Sequence, residues 1–232
     1  MEARRSVRTG GKPRLLGGKL AAVRLPIRTR RLTLRAPVTS DIESVYRALR
    51  DETMGRFVSG RPRPYTRVHA TDFVSGARRK MRRGEMLNLI GVDARTGELS
   101  VAVGLFNLNW KDRHGEIGYW VPRRLWGQGL ATEAVIAVCA EVFRHTNIHR
   151  IEATVEVDNE ASARVLTKAG FVKEGTRRHA HLHGTSWTDA DLYALLNEGS
   201  LAPSGTVLGN RSGRNRVLKV KKVVAGVRTS PP

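Results

Sequence analysis

The sequence has a single cysteine, Cys139, in 232 residues. One cysteine excludes an internal disulfide framework and fits a reducing compartment, so we expect a cytoplasmic protein. Cys139 lies in an apolar helical pattern beside Val138 and Val142, which favours core packing over a reactive thiol. No apolar run approaches the roughly 20 residues that cross a membrane. The basic N-terminus also lacks the apolar segment of a secretory signal.

Acidic residues are nearly absent from both ends of the chain. Residues 1–31 hold ten Lys or Arg and one acid, and residues 202–232 hold seven Lys or Arg and none, although the whole chain carries 21 acids. We therefore predict a disordered basic arm at 1–30, one globular domain at 31–199 and a disordered basic tail at 200–232. Such tails are attracted to phosphate backbones. RNA binding and simple solvation both remain open, and the Arg-rich arm also has the composition of a transit peptide.

The most informative stretch, residues 116–133, combines a strand, a tight turn and the start of a helix. Ile117, Tyr119 and Val121 alternate with other residues, which is strand spacing. Pro122 then ends the strand because proline has no N–H to donate. Apolar residues afterwards recur along one helical face, namely Ala131, Ala134, Val135, Val138 and Val142.

The turn has the composition of an anion-binding site, with the pattern Arg124-x-x-Gly127-x-Gly129-x-Ala131. The first N–H groups of a helix have no partner within it, and the helix dipole is positive there. Glycine removes the Cβ atoms that would keep a phosphate away from the backbone. The spacing is too short for a Walker loop. Thr132 stands where the dinucleotide fingerprint requires a third glycine.

Periodicity elsewhere predicts the element order β-α-α-β-β-β-α through the helix that follows the glycine turn. Strands are expected at 32–34, 87–92, 101–106, 116–121, 149–157, from 171 onward and at 186–196, and further helices near 42–49, 67–83 and after 159. The last of these helices opens a second motif, N-E-A-S-A-R-V-L-T-K-A-G-F, at residues 159–171. Gly170 is placed to end that helix in the left-handed conformation.

The two motifs together resemble motifs A and B of the GCN5-related N-acetyltransferases (GNAT superfamily). The residues around the turn are similar to the RimJ/RimL branch, which acetylates protein N-termini. The resemblance covers about residues 30–198. It implies an α/β (α+β) acyl-CoA N-acyltransferase fold, in which a mixed, mostly antiparallel sheet of six or seven strands is splayed between strands 4 and 5 and flanked by about four helices.

The resemblance also implies acetyl-CoA as co-substrate. The turn amides would face its pyrophosphate, the backbone of 119–121 would pair with the pantetheine arm, and the Val121 N–H would donate to the thioester carbonyl. The residues expected to bind it are Tyr119, Trp120, Val121, Arg124, Gly127, Gln128, Gly129, Leu130, Ala131, Thr132, Asn159 and Ser162.

Two catalytic residues are carried over from the same resemblance. Ser162 would hydrogen-bond the departing thiolate, because Leu166 occupies the position where many relatives carry a tyrosine. Glu116 would act as the base, through water. His179 and His181 compete with Glu116 for that role. With His183 they are also spaced like a zinc triad, but no metal is expected.

The leading function is therefore acetyl transfer to a protein N-terminal α-amine, in the manner of the ribosomal-protein N-acetyltransferases, by direct attack in a ternary complex. One alternative keeps the fold and changes the acceptor to a small amine, such as an antibiotic or metabolite. The other is a non-catalytic, CoA-binding protein that contacts rRNA or the ribosome through the basic tails.

Overall fold

The computed structural model describes residues 16–54, 58, 61–183 and 185–198. These residues form one eight-stranded sheet in the order β1-β2-β3-β4-β5-β6-β8-β7. The strands are β1 (Ile27–Arg28), β2 (Leu32–Arg35), β3 (Leu87–Asp93), β4 (Leu99–Asn109), β5 (His114–Trp120), β6 (Arg150–Glu156), β7 (Val172–His183) and β8 (Ser186–Leu196). Seven of them were predicted. The eighth is the two-residue β1.

Four α-helices that lie wholly within the described residues flank the sheet, and all four were predicted. They are α1 (Ile42–Leu49), α2 (Arg67–Arg83), α3 (Leu130–His145) and α4 (Glu160–Lys168). One apolar cluster packs α3 and α4 against the sheet, and a second packs α1 and α2 against it. Gly84 and Gly170, which follow α2 and α4 closely, both adopt positive φ angles.

The sheet is splayed at its only parallel pair of strands in the described residues. β5 and β6 pair at three positions, from His114↔Arg150 to Glu116↔Glu152. Beyond Glu116, β5 continues to pair with β4, while β6 continues to pair with β8. The predicted opening between the fourth and fifth expected strands is therefore confirmed, between β5 and β6.

The predicted N-terminal boundary is wrong, because the folded domain begins well before residue 31. Leu16, Leu20, Val23 and Ile27 are each at most 5% exposed and belong to the same cluster as α3. We call residues 16–31 the N-terminal strap. The rest of the predicted basic arm, residues 1–15, and the predicted basic tail, residues 200–232, lie outside the described residues.

Two carboxylates of α3 hold the strap. The Arg24 N–H donates to Glu141 Oε1 at 3.0 Å, and the Arg31 N–H donates to Glu133 Oε1 at 2.9 Å. Glu141 is only 1% exposed, so its carboxylate depends on such partners for compensation. The two acids lie eight residues apart, about two helical turns, so both face the same side of α3.

Candidate active site

The glycine turn leaves the first turn of α3 open to a ligand. After β5 the chain makes a 3₁₀ turn at Arg123–Leu125. It then passes through Gly127 and Gly129, whose φ angles are 75° and 74°. These left-handed conformations favour glycine. Gly129 is the N-cap residue of α3 and provides no side-chain cap, so the unpaired N–H groups and the positive end of the dipole are available to an anion.

Residues of the N-terminal strap hold the glycine turn in place through hydrogen bonds and an ion pair. Arg31 Nη1 donates to the Gln128 carbonyl at 2.8 Å, and Arg31 Nε lies 2.7 Å from Glu133 Oε2. Thr29 Oγ1 donates to the other Glu133 oxygen at 2.6 Å. Burial acts to raise the pKa of Glu133, but the hydrogen bonds from Thr29 and Arg31 outweigh it and hold that pKa below its ordinary value. The network was not predicted from the sequence because its members lie about 100 residues apart.

A cavity of about 400 Å³, the donor cavity, lies beside the turn. It is lined by ten of the twelve residues predicted to bind acetyl-CoA, namely Tyr119, Trp120, Val121, Gly127, Gly129, Leu130, Ala131, Thr132, Asn159 and Ser162. Arg124 does not line it and instead lies 3.4 Å from Glu98. Gln128 contributes its carbonyl to Arg31. Arg164 and Lys168 also line the cavity. They were not predicted, although their spacing of four residues places both on one helical face.

A larger cavity of about 780 Å³ is lined in part by residues of β4, β5 and β6, and we call it the acceptor cavity because it contains the residue predicted to act on the acceptor amine. Glu116 lines it, and Glu116 Oε2 accepts a hydrogen bond from Asn107 Nδ2 at 2.9 Å. Asn107 adopts a φ of 49° inside an irregularity of β4. A local break in strand pairing can re-aim a side chain in this way. The two cavities share Val58, Tyr119, Trp120, Asn159 and Ser162.

Ser162 stands at the junction between the cavities. Its N–H donates to Asn159 Oδ1 at 3.1 Å, which caps α4. Its Oγ lies 2.8 Å from the Tyr119 hydroxyl. Burial raises the pKa of Tyr119 to about 12, so the phenol remains protonated. The sequence predicted that the backbone of Tyr119 binds acetyl-CoA, but it did not predict the contact of its hydroxyl group with Ser162. Strand alternation indicates on which face of the sheet a side chain lies, and it does not identify the side chain's partner on another element.

The family model described as an acetyltransferase (GNAT) domain matches residues 31–172. The chain belongs to the GNAT acetyltransferase family. Its domain is 38% identical over 108 residues to the uncharacterized N-acetyltransferase YoaA of Bacillus subtilis, covering 46% of this chain and 60% of that protein. It is 30% identical over 85 residues to the Escherichia coli ribosomal-protein-serine acetyltransferase, covering 37% and 48%. The chain thus spans roughly half the length of these curated relatives.

Solved structures share the fold of this GNAT domain. Mycobacterium smegmatis RimJ, in complex with CoA-disulfide, superposes with a TM-score of 0.67 at 26% identity, covering 76% of this chain and 90% of RimJ. A GNAT-family acetyltransferase from Bacillus anthracis gives a TM-score of 0.66, also at 26% identity, covering 74% and 98%. The predicted fold is thereby confirmed.

The histidines of the GNAT domain do not follow the regular strand repeat expected for a triad. The pairing of β7 with β8 shifts between Arg177 and His181, and His179 has a φ of 50°. The His179 ring stacks on Trp187 at 6.1 Å, whereas His181 lines the acceptor cavity. The His183 side chain lies outside the described residues. Among the residues that are described, no group of three metal-ligating side chains occurs, and no helix has the length and apolarity to span a membrane.

The Tyr119–Ser162 pair gives a test of the junction. Either hydroxyl of the pair can donate to the other, and the Tyr119 hydroxyl also lies 3.2 Å from the Ser162 carbonyl oxygen, a second acceptor. Each hydroxyl has one hydrogen, so removing either hydroxyl changes the hydrogen bonding of the other. We expect Ser162→Ala to lower kcat by roughly tenfold or more, and Tyr119→Phe by roughly threefold to tenfold. Steady-state kinetics and CoA titration should show an unchanged CoA affinity for both. Thr167→Ala, which removes another hydroxyl from α4, is the matched control, and a kcat loss of equal size there would contradict the assignment.

Proposed function

We propose that this protein transfers an acetyl group from acetyl-CoA to a protein N-terminal α-amine. The observation that carries the proposal is the meeting of two cavities at Tyr119 and Ser162, with the glycine turn on one side and Glu116 on the other. The similarity to an E. coli ribosomal-protein-serine acetyltransferase supports a protein acceptor. The similarity to RimJ, whose solved structure is a complex with CoA-disulfide, supports the donor.

The donor side fits acetyl-CoA. The uncapped first turn of α3, the two left-handed glycines and the brace from Arg31 form a rigid cradle for a pyrophosphate. The edge of β5 that faces β6 has no strand pairing beyond Glu116 in the described residues, and it would bond an extended pantetheine arm. The Val121 N–H would donate to the carbonyl oxygen as negative charge develops on it. When bound, acetyl-CoA would supply the thioester that the amine attacks.

On the acceptor side, the amine must lose one proton during the reaction. The attacking nitrogen must be neutral, and an α-amine with a pKa of about 7.7–8.0 is already neutral in roughly a tenth or more of molecules near pH 7. Glu116, held by Asn107, would take the remaining proton through water as the carbon–nitrogen bond forms. The carbon–sulfur bond then breaks, and Ser162 would hydrogen-bond the departing thiolate.

A turnover assay with acetyl-CoA tests the proposal. We expect peptides with free N-termini to be acetylated, and their N-terminally blocked counterparts to be inert. A panel of small amines in the same assay separates a protein acceptor from a metabolite or antibiotic. If no amine in either set is acetylated, while CoA still binds, the domain is a CoA-binding module and the proposal fails.

Replacing the proposed base tests the acceptor side alone. We expect Glu116→Gln to lower kcat by about tenfold to a hundredfold, because a general base supplies part of the rate. The kcat loss should shrink as pH rises, since more of the amine is already neutral. Glu85→Gln is the control, because Glu85 lines neither cavity and its carboxylate lies 3.6 Å from Arg83. A kcat loss that stays constant with pH would reject Glu116 as a base.

The basic ends of the chain suggest that the protein contacts the ribosome. Residues 202–232 carry seven Lys or Arg and no acid, a composition that attracts RNA phosphates. We propose that they contact rRNA and hold the protein near newly made N-termini. Deleting residues 199–232 should weaken RNA binding and flatten its dependence on salt concentration. An unchanged salt slope in a binding titration would reject that role.

A further inference from the structure

The acceptor cavity contains a buried guanidinium, that of Arg61. Its side chain is only 1% exposed. Nη1 donates to the Pro62 carbonyl at 3.1 Å, and Nη2 donates to the Asp51 carbonyl at 3.3 Å. In the described part of the chain, the one carboxylate within 4 Å is that of Glu52, at 3.7 Å, and its own side chain is 76% exposed. Within those same residues, Nε has no hydrogen-bond partner.

This arrangement leaves the Arg61 charge under-compensated. A buried cation is normally paired with an anion and fully hydrogen-bonded, because removing it from water is costly. Two carbonyl groups are neutral, and an exposed carboxylate 3.7 Å away is a weak partner. The planar fork of arginine suits a carboxylate in particular, since it can donate two parallel hydrogen bonds.

The position of Arg61 places it in the acceptor cavity and outside the donor cavity. Arg61 lines the acceptor cavity together with Glu116, and it does not line the donor cavity. It lies 5.9 Å from the ring centroid of Tyr65. Burial raises the pKa of Tyr65 to about 12, so this neighbour stays a neutral phenol that can also donate a hydrogen bond.

The charges around the cavity are divided by sign. Asp72, Glu116 and Glu156 line it, and these carboxylates favour the ammonium form of an incoming amine. Arg61 is the one Lys or Arg lining it in the described part of the chain. A cavity with both features is complementary to an acceptor that carries an amine and a carboxylate.

We propose that Arg61 binds a carboxylate of the acceptor, so that the preferred acceptor is a protein N-terminus with an acidic side chain among its first few residues. This inference rests on the proposed function and names the acceptor class for the same site. A free amino acid would present the same chemistry from a small molecule, and the experiment separates the two.

The test compares acceptors that differ only in charge. Peptides with aspartate at the second or third position are measured against the same peptides with asparagine, and free glutamate is measured against the α-amide of glutamine, which has no carboxylate. A charged hydrogen bond of ordinary strength predicts that kcat/KM is roughly tenfold to a hundredfold higher for the best acidic peptide than for its amide counterpart. A preference found only with free glutamate would assign the carboxylate to a small molecule and overturn the peptide proposal.

Two variants test whether Arg61 causes the preference for acidic peptides. Arg61→Met should bring the acid-to-amide ratio of kcat/KM to about one. Glu52→Gln should raise the ratio, because it removes the competing carboxylate while keeping the guanidinium. A purely structural Arg61 would change the melting temperature in either variant without changing the ratio in Glu52→Gln. The Glu52→Gln result and the wild-type ratio therefore decide the matter even if Arg61→Met does not fold.

The outcomes also separate this inference from the proposed function. Turnover of both peptides at equal rates by the wild-type protein overturns the role of Arg61 and leaves acetyl transfer intact. A ratio that Arg61→Met does not change also overturns it. Failure to acetylate any peptide overturns the proposed function itself.

Discussion

A chain that begins at Arg31, where the family match starts, is expected not to fold. Truncation there removes Leu16, Leu20, Val23 and Ile27, all of which are buried. Each such side chain contributes about 1.5–3 kcal/mol, so the loss is about 6–12 kcal/mol as an upper estimate. A domain typically has a free energy of unfolding of about 5–15 kcal/mol. The deletion therefore removes most of the available stability.

A shorter deletion is the matched control. Removing residues 1–15 leaves every described contact in place, so we expect a melting temperature within about 2 °C of the full chain, a difference near 0.5 kcal/mol. In the full chain, Leu20→Ala should lower the free energy of unfolding by about 2–5 kcal/mol. Thermal and urea unfolding give the stability of the two truncated chains and of Leu20→Ala relative to the full chain. If the chain from Arg31 melts like the full chain, the strap is not part of the folded unit.

Gly129→Ala is expected to weaken CoA binding by about tenfold to a hundredfold. The φ of 74° costs an L-residue about 1–2 kcal/mol, and an added Cβ would lie 3.7 Å from Arg31 Nη2, within the braced turn. Relief of that strain must rotate the turn amides away from the pyrophosphate. A loss of about 1.4–2.8 kcal/mol in binding corresponds to a Kd raised tenfold to a hundredfold.

Gly97 offers a close conformational control. Its φ is 75°, and an added Cβ there meets nothing within 4 Å. Gly97→Ala should lower the melting temperature about as much as Gly129→Ala and leave CoA affinity unchanged. Calorimetric titration with CoA, together with thermal unfolding, distinguishes the two effects. Equal affinities in the two variants would mean that the Gly129 turn does not bind CoA.

The features predicted from the sequence are those encoded locally. The turn at Gly127 and Gly129 and the motif at 159–171 combine glycine conformation, caps and periodicity within short windows. Their local structure was therefore predicted from spacing, and their function from the family resemblance. The bounds of α2 and β8 followed from periodicity for the same reason.

The features that were missed depend on contacts between distant segments. Arg31 reaches Gln128 across 97 positions, and Tyr119 reaches Ser162 across 43. No local pattern encodes either contact. The strap was predicted as disordered because residues 1–30 contain many arginines and two glycine pairs and show no sustained apolar period. Nevertheless, its buried residues recur at intervals of four, three and four, a signal hidden by the charged residues between them.

Because β5 and β6 pair over only a short length, a ligand bound between them would link the two halves of the sheet. Strands β1 to β5 form one half of the sheet and β6 to β8 the other, and only three backbone pairs join the two halves in the described residues. A chain-like molecule bonded along the gap would act as a partial extra strand that couples the halves. Cooperativity between the two halves would then rise with ligand occupancy. Amide hydrogen exchange in β6 and β8 should therefore slow when CoA is bound, although neither strand contains a residue of the glycine turn.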